Sequence, residues 1–347
     1  MGHLIYLIVK FYMTLCLRFY FRKIAIHGRE NLKDKGPFLF VSNHQNAFMD
    51  GLLVVMTNPF PVHFLIRADI FKKPLAIALL KWMKLMPVYR IRDGFSSLTK
   101  NQEQFDECVR LFLKKESILI FPEGNHGDTR KLRPLSKGFT RIAFEALRQQ
   151  PNMNLKVVPV SINYSNHKAF NSRVSLYYGK PIPVSEFYKE PIPQQANEFK
   201  DFVAEEIKKH LTHIDEESRY EEILARLNAT HPDYFNPYET NERIQKILRG
   251  EPVAETKKKT PLHFILTAPL RPLAWLINFP LIWGWKKFSL KIKDPVFITS
   301  LKFGFGFIPG QFYYLLLMGI ASVWLNWWAL ALYPGLLLSL KILRKPV

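Results

Sequence analysis

Phe38-Leu39-Phe40-Val41-Ser42-Asn43-His44-Gln45-Asn46-Ala47-Phe48-Met49-Asp50 is the stretch around which the rest of the chain is organised. An apolar run, Phe38 to Val41, empties into a polar loop with one His and one Asp, and a second apolar segment, Leu52 to Met56, follows. A strand ending in such a loop is where α/β proteins keep their chemistry. Neutral imidazole is the natural general base near neutral pH, and a carboxylate on its other nitrogen fixes the tautomer and stabilises the imidazolium. On one continuous helix the step from His44 to Asp50 would turn through roughly 240°, onto different faces. The two side chains therefore meet only if the loop folds back.

Three other stretches share this character. Ser117 to Phe121 is a continuous apolar run suited to the middle of a sheet, and it ends in Phe121-Pro122-Glu123-Gly124. Glu123 offers acceptors to hydroxyl groups, Pro122 stiffens the exit and Gly124 lets the backbone approach a ligand closely. Pro-Glu-Gly is also ordinary turn chemistry. Met86-Pro87-Val88-Tyr89-Arg90, with Arg92 close behind, brings guanidinium groups whose planar fork can hold a phosphate; either Arg also suits a surface role. Lys156 to Ile162 is an apolar run around Pro159 and reads as a buried strand.

Taken together, these four stretches resemble the motifs of the glycerophospholipid acyltransferases. Most members of that family place four residues between His and Asp, whereas five stand here, Gln45 to Met49. Fungal-type acyltransferases acting on glycerol-3-phosphate or dihydroxyacetone phosphate look similar, with the longer gap and a following apolar segment. The resemblance implies an α/β fold and transfer of a fatty acyl group from acyl-CoA or acyl-carrier protein to glycerol-3-phosphate or 1-acylglycerol-3-phosphate. His44 and Asp50 would be catalytic, and Asn43, Arg90, Glu123, Gly124 and Lys137 would bind substrate. Arg90 matches the position near the acceptor phosphate. The run around Pro159 would shape the acyl or donor site. No cofactor and no metal in the chemical step are implied. His126 and Asp128 beside Glu123 raise the question of a divalent ion, but no second His follows at helical spacing.

Composition narrows the partners. The 347 residues carry 49 Lys and Arg against 29 Asp and Glu, a net charge of +20, which points to anionic partners. Nucleic acid is disfavoured, because the aromatic residues gather in apolar runs rather than alternating with basic ones. Membrane phospholipid, an acyl thioester and a glycerol-phosphate acceptor remain. A chain that binds anionic lipid without catalysis, or acts on another lyso-lipid, would share these features. The two cysteines, Cys16 and Cys108, give no disulfide framework and suit a reducing, cytosol-facing catalytic domain.

The expected fold class is α/β, a mixed sheet flanked by helices, with a membrane-associated N-terminal helix and a C-terminal hydrophobic hairpin. Residues 1–22 read as an amphipathic or shallowly inserted helix, or as a first helix packed on the core. Residues 23–190 read as the catalytic domain, 191–255 as a helical scaffold or lid, and 256–347 as a membrane region. Strands are expected at Lys23–His27, Phe38–Ser42, Val62–Ile66, Ser117–Phe121, Lys156–Ile162 and Arg173–Tyr178. Helices are expected at Lys73–Met86, Lys100–Lys115, Phe139–Leu147, Asn197–Leu211, Glu216–Leu227 and Glu239–Leu248. Lys137 opens one of them, where a helix start favours anions. Arg130, Lys131, Arg133 and Lys137 read as a basic collar for phosphate or the phosphate-bearing end of a donor. Leu262 to Trp283, with Arg271 and three prolines, reads as a broken, re-entrant or interfacial segment rather than a simple span. Phe303 to Leu340 holds no charged residue over 38 positions, and a span needs ~20, so the run suits two short spans or one hairpin with Trp324, Asn326, Trp327 and Trp328 at its tip, or a buried helical pair. Basic residues at both ends of that run would place them, with the catalytic domain, on the cytoplasmic side.

Overall fold

The computed structural model describes residues 2–33, 36–67, 83–88, 96–125, 127–254, 262–292, 294 and 297–343. Eight strands, β1 (Lys23–His27), β2 (Phe38–Ser42), β3 (Val62–Arg67), β4 (Leu85–Val88), β5 (Ser117–Ile120), β6 (Lys156–Tyr164), β7 (Arg173–Tyr178) and β8 (Ile182–Pro183), make one sheet. Its order is β1-β7-β6-β2-β5-β3-β4, with β8 beside β6. All pairs run parallel except β6 with β7 and with β8. The expected mixed sheet is thus present.

Strand β2 is buried on both faces, which is why its sequence is uninterruptedly apolar. Leu39 and Val41 join Ile118, Ile120 and Val157 in a core covered by helices α3 (Ser96–Leu113), α4 (Gly138–Gln149) and α5 (Ile192–Lys208). Phe38 and Phe40 face the other way, onto a second core with α1 (Gly2–Tyr20) and α2 (Ala47–Thr57). Each such side chain stabilises the fold by about 1.5–3 kcal/mol. Residue Gly51 of α2 is required by packing, because a Cβ there would stand 2.0 Å from the Phe64 ring.

One expectation needs correction here, and one is refined. The helix expected over Lys73–Met86 overruns its end: Leu85–Val88 is a strand paired in parallel with β3, while 68–82 fall outside the described residues. Leu262–Trp283 breaks only near Thr267–Leu270, between α8 (Leu262–Leu266) and α9 (Arg271–Ser289). Pro272 sits in the first turn of α9, where its missing N–H costs nothing, and the helix continues through Pro280.

The helices α6 (Tyr220–Ala229) and α7 (Pro237–Leu248) bury Ile223, Leu227, Ile244 and Ile247 in a small core of their own. The remaining helices are α10 (Ile298–Phe307), α11 (Pro309–Leu325) and α12 (Leu332–Ile342). Phe303 and Phe307 of α10 enter the second core beside Tyr20. The apolar side chains of α1 divide: Cys16, Leu17 and Tyr20 are buried, whereas Leu7, Ile8, Phe11 and Leu15 are exposed.

Candidate active site

Parallel pairing brings the two key loops together. Val41 lies in register with Ile120, so the chain leaves β2 and β5 at the same edge of the sheet. His44 follows one strand and Glu123 the other. The chain then turns into α2 immediately, which carries Asp50 back over His44. His44 Nδ1 lies 2.9 Å from Asp50 Oδ2. The same carboxylate oxygen accepts the backbone N–H groups of Gln45 and Asn46 at 2.8 and 2.7 Å, and Oδ1 accepts the Tyr164 hydroxyl at 2.6 Å. Asp50 is 0% exposed. The buried carboxylate thus has four donors, and it meets N–H groups that the start of a helix leaves without intrahelical partners.

Burial and the adjacent Asp50 charge push the Tyr164 phenol well above its ordinary value, so this hydroxyl remains a donor. With Nδ1–H committed to Asp50, the basic lone pair of His44 is on Nε2. The imidazole stacks on Phe121, centroids 4.2 Å apart, and Phe121 packs edge-on against Phe64. His44 keeps 15% of its side chain exposed, so the ring is both fixed and reachable.

Glu123 sits differently. Its side chain is 2% exposed, and Arg133 Nε donates to Oε2 at 2.8 Å while Nη2 contacts the same oxygen. Arg133 also reaches Asn125 and the His44 carbonyl, the latter at 3.3 Å. Gly127 N–H donates to that carbonyl as well, so the loop after β5 is strapped onto the loop after β2. Burial pushes the Glu123 carboxyl up to about 7, although the Arg133 charge and the His44 backbone pull the other way. Gly124 adopts φ +74 with nothing near its pro-Cβ position, so backbone conformation rather than crowding calls for glycine.

Residues 23–163 match the family model described as Acyltransferase. This segment is an acyltransferase-family domain. Glycerol-3-phosphate O-acyltransferase 2 of Saccharomyces cerevisiae is 31% identical over 203 residues, 58% of this chain and 23% of that protein. The 1-acyl-sn-glycerol-3-phosphate acyltransferase of Limnanthes alba is 25% identical over 170 residues, 49% of this chain and 54% of its own length. The chain therefore spans about a quarter of the yeast relative and about half of the plant one. A solved structure, the 1-acyl-sn-glycerophosphate acyltransferase PlsC of Thermotoga maritima, aligns with TM-score 0.41 and 20% identity over 54% of this chain and 70% of that one.

Within the acyltransferase domain, His44, Asp50, Glu123 and Gly124 converge on one edge of the sheet, and other expected site residues do not join them. Asn43 was expected to meet substrate, but its amide is buried and turned inward. Its Nδ2 donates to the Ile162 carbonyl at 3.1 Å and its Oδ1 accepts the Ile162 N–H at 2.8 Å, pinning the loop to β6. Lys137 is exposed ahead of α4, and among the described residues no contact joins it to His44 or Glu123. Arg90, Arg92 and His126 lie outside the described residues.

The basic collar is also redistributed. Arg130 lies over the Tyr234 ring, 3.2 Å from its centroid, and donates to the carbonyls of Tyr164 and Ser165, so it fastens the helical region to β6. Lys131 pairs with Glu217 at 3.2 Å, and Asp128 is held by His167 and Lys168. Among the described residues no cluster of three metal-ligating side chains occurs. Cys108 is buried and its thiol is pushed up to about 12 by burial, which makes it a poor nucleophile.

Tyr164, Phe121 and Arg133 escaped the sequence reading as site residues. Tyr164 closes an apolar strand and gives no local signal. Phe121 was visible only as part of its motif, and Arg133 was placed in the collar rather than on Glu123.

Proposed function

We propose that the chain transfers a fatty acyl group from an acyl-CoA or acyl-carrier-protein thioester to a hydroxyl of glycerol-3-phosphate or 1-acylglycerol-3-phosphate. The observation that carries this reading is the His44–Asp50 pair, 2.9 Å apart on a buried, fully hydrogen-bonded carboxylate at the edge where β2 and β5 end. The matched family and the yeast and plant relatives support the acceptor class.

In this mechanism His44 Nε2 takes the proton of the acceptor hydroxyl as its oxygen attacks the thioester carbonyl. The oxygen–carbon bond forms, the tetrahedral oxyanion is stabilised by donors in the surrounding loops, and the carbon–sulfur bond then breaks. The imidazolium, stabilised by Asp50, returns the proton to the departing thiolate. The acyl group passes directly between substrates without an acyl-enzyme, since neither Ser42 nor a cysteine forms a nucleophile–base set with His44. Arg90 holds the acceptor phosphate, and Glu123 and Gly124 orient its polyol end. The catalytic domain works at the cytoplasmic face of a membrane.

Thiol release from palmitoyl-CoA, measured with each acceptor added separately, tests the proposal. Stimulation by glycerol-3-phosphate assigns first-step acylation, and stimulation by 1-acylglycerol-3-phosphate assigns the second step. Silence with both, and again with an acyl-carrier-protein donor, overturns it in favour of another lyso-lipid acceptor or of lipid binding without catalysis.

A further inference from the structure

Between His44 and Asp50 the chain makes a turn that its own residues disfavour. Asn46 lies at φ −134, and Ala47, the first residue of α2, lies at φ +37, a left-handed conformation that an L side chain seldom adopts. Such a turn persists only where its surroundings over-determine it. Here the restraint comes from Asn46, which is 1% exposed. Its Nδ2 donates to the His167 carbonyl at 2.8 Å. Its backbone N–H donates at 2.7 Å to Asp50 Oδ2, the oxygen that also meets His44 Nδ1. One residue thus ties the turn both to a distant carbonyl and to the carboxylate that orients the imidazole.

His167 belongs to the segment between β6 and β7, and it is fastened in turn. Its carbonyl accepts a second hydrogen bond, from Thr299 Oγ1 of α10 at 3.2 Å. Its ring Nε2 lies 3.0 Å from Asp128 Oδ1, on the loop after β5 that carries Glu123. The same ring packs edge-on to Tyr164, centroids 6.5 Å apart, and the Tyr164 hydroxyl donates to Asp50. Helix α10 is itself seated in the second core by Phe303 and Phe307. A carbonyl oxygen has two lone pairs, and both are used here, one by the His44 loop and one by α10. Helix α10 therefore bears on the His44 loop although it lies outside residues 23–163.

We infer that Asn46 is a positioning residue for the proposed reaction, holding the strained turn so that Asp50 stays on His44 Nδ1, and that Thr299 supports it through the shared His167 carbonyl. The inference rests on the reading of His44 as the base. Asn46 acts through Asp50 rather than on substrate, because its amide is buried and committed to His167. Without that amide the turn relaxes toward ordinary φ values, and Asp50, carried on the first turn of α2, shifts relative to Nδ1.

The test uses the full chain with Asn46→Leu, which keeps the side-chain size and removes the donor, and with Thr299→Val, which removes the other donor from the same carbonyl. In acceptor-stimulated thiol release from palmitoyl-CoA, Asn46→Leu is expected to lower kcat about tenfold with KM for donor and acceptor within about twofold of wild type, and Thr299→Val to lower kcat about twofold. The double variant should lose less than the product of the two, because both act on one carbonyl. A second readout needs no turnover. With nitrogen-15-labelled histidine, the ring signals of His44, identified by their absence in His44→Ala, should report the Nδ1–H tautomer in wild type and a mixture of tautomers in Asn46→Leu. A wild type without acyl transfer counts against the proposed function, and the nitrogen signals alone then decide the inference. An unchanged tautomer in Asn46→Leu overturns it, and so does a raised KM with unchanged kcat, since Asn46 then contacts substrate. If Asn46→Leu does not fold, Thr299→Val carries the test: a lower kcat at retained KM supports the inference, and wild-type kinetics overturn it.

Discussion

Two loops leave adjacent parallel strands at one edge of the sheet, and each carries a buried carboxylate under opposite electrostatic conditions. Asp50 has four donors, three of them from its own loop and helix start, and one from Tyr164 across the sheet. Glu123 relies on one guanidinium and a backbone contact, and burial outweighs both. The first arrangement holds the carboxylate oxygens in fixed hydrogen bonds, as the proposed partner of a general base requires. The second leaves a carboxyl pushed up to about 7, near the midpoint of its titration at neutral pH.

The contrast breaks most severely at Asp50. Replacing it with Asn removes the acceptor that holds the His44 Nδ1 proton and favours the tautomer with Nε2 protonated. Acyl transfer is expected to fall by about 10²–10⁴, measured as acceptor-dependent thiol release, with the protein still folded by circular dichroism. Tyr164→Phe is the milder version. It removes one charge-assisted hydrogen bond worth about 1.5–3 kcal/mol, so turnover and the thermal midpoint should drop together. Turnover that falls with no change in midpoint would mean that the hydroxyl acts on substrate rather than on Asp50.

Gly51→Ala probes the same loop through packing. The added methyl collides with Phe64, which supports the ring under His44, and such overpacking costs about 1–3 kcal/mol. The denaturant midpoint should move accordingly, and the compensating Gly51→Ala, Phe64→Leu pair should recover part of the loss.

The smallest effect is expected at Glu123, and it has a definite sign. Its native value, about 7, lies above the ordinary 4.5. Below 4.5 the native and unfolded forms are both protonated, and between 4.5 and about 7 the native form binds more protons. Stability contributed by this group is therefore lost as pH rises through that window. Thermal midpoints of wild type and Glu123→Gln, compared across the window, should diverge in that direction, with the wild type declining relative to the variant. The reverse slope would show that the Arg133 charge, not burial, sets the state of Glu123.

Much of this was legible in the sequence, for particular reasons. Strands β2, β5 and β6 are buried on both faces, so continuous apolar runs announced them, and the loops that follow stood out by contrast. The His44–Asp50 partnership was legible from residue type, and the condition that the loop fold back is met by the immediate start of α2. Tyr164 was not legible, because its role depends on β6 lying beside β2, a register no local pattern encodes. The same register turned Asn43 inward onto Ile162. Arg130 looked like its basic neighbours, yet a ring about a hundred positions later draws it into the scaffold. Long-range pairing decided each of these, and local chemistry decided the rest.

The central claim is that His44 is the base for acyl transfer. Its most direct test compares wild type with His44→Ala, both reconstituted in vesicles, in palmitoyl-CoA thiol release with and without the stimulating acceptor. The account predicts loss of the acceptor-dependent rate in the variant, with expression, thermal midpoint and vesicle association retained. Acceptor-dependent release at the wild-type rate would contradict it.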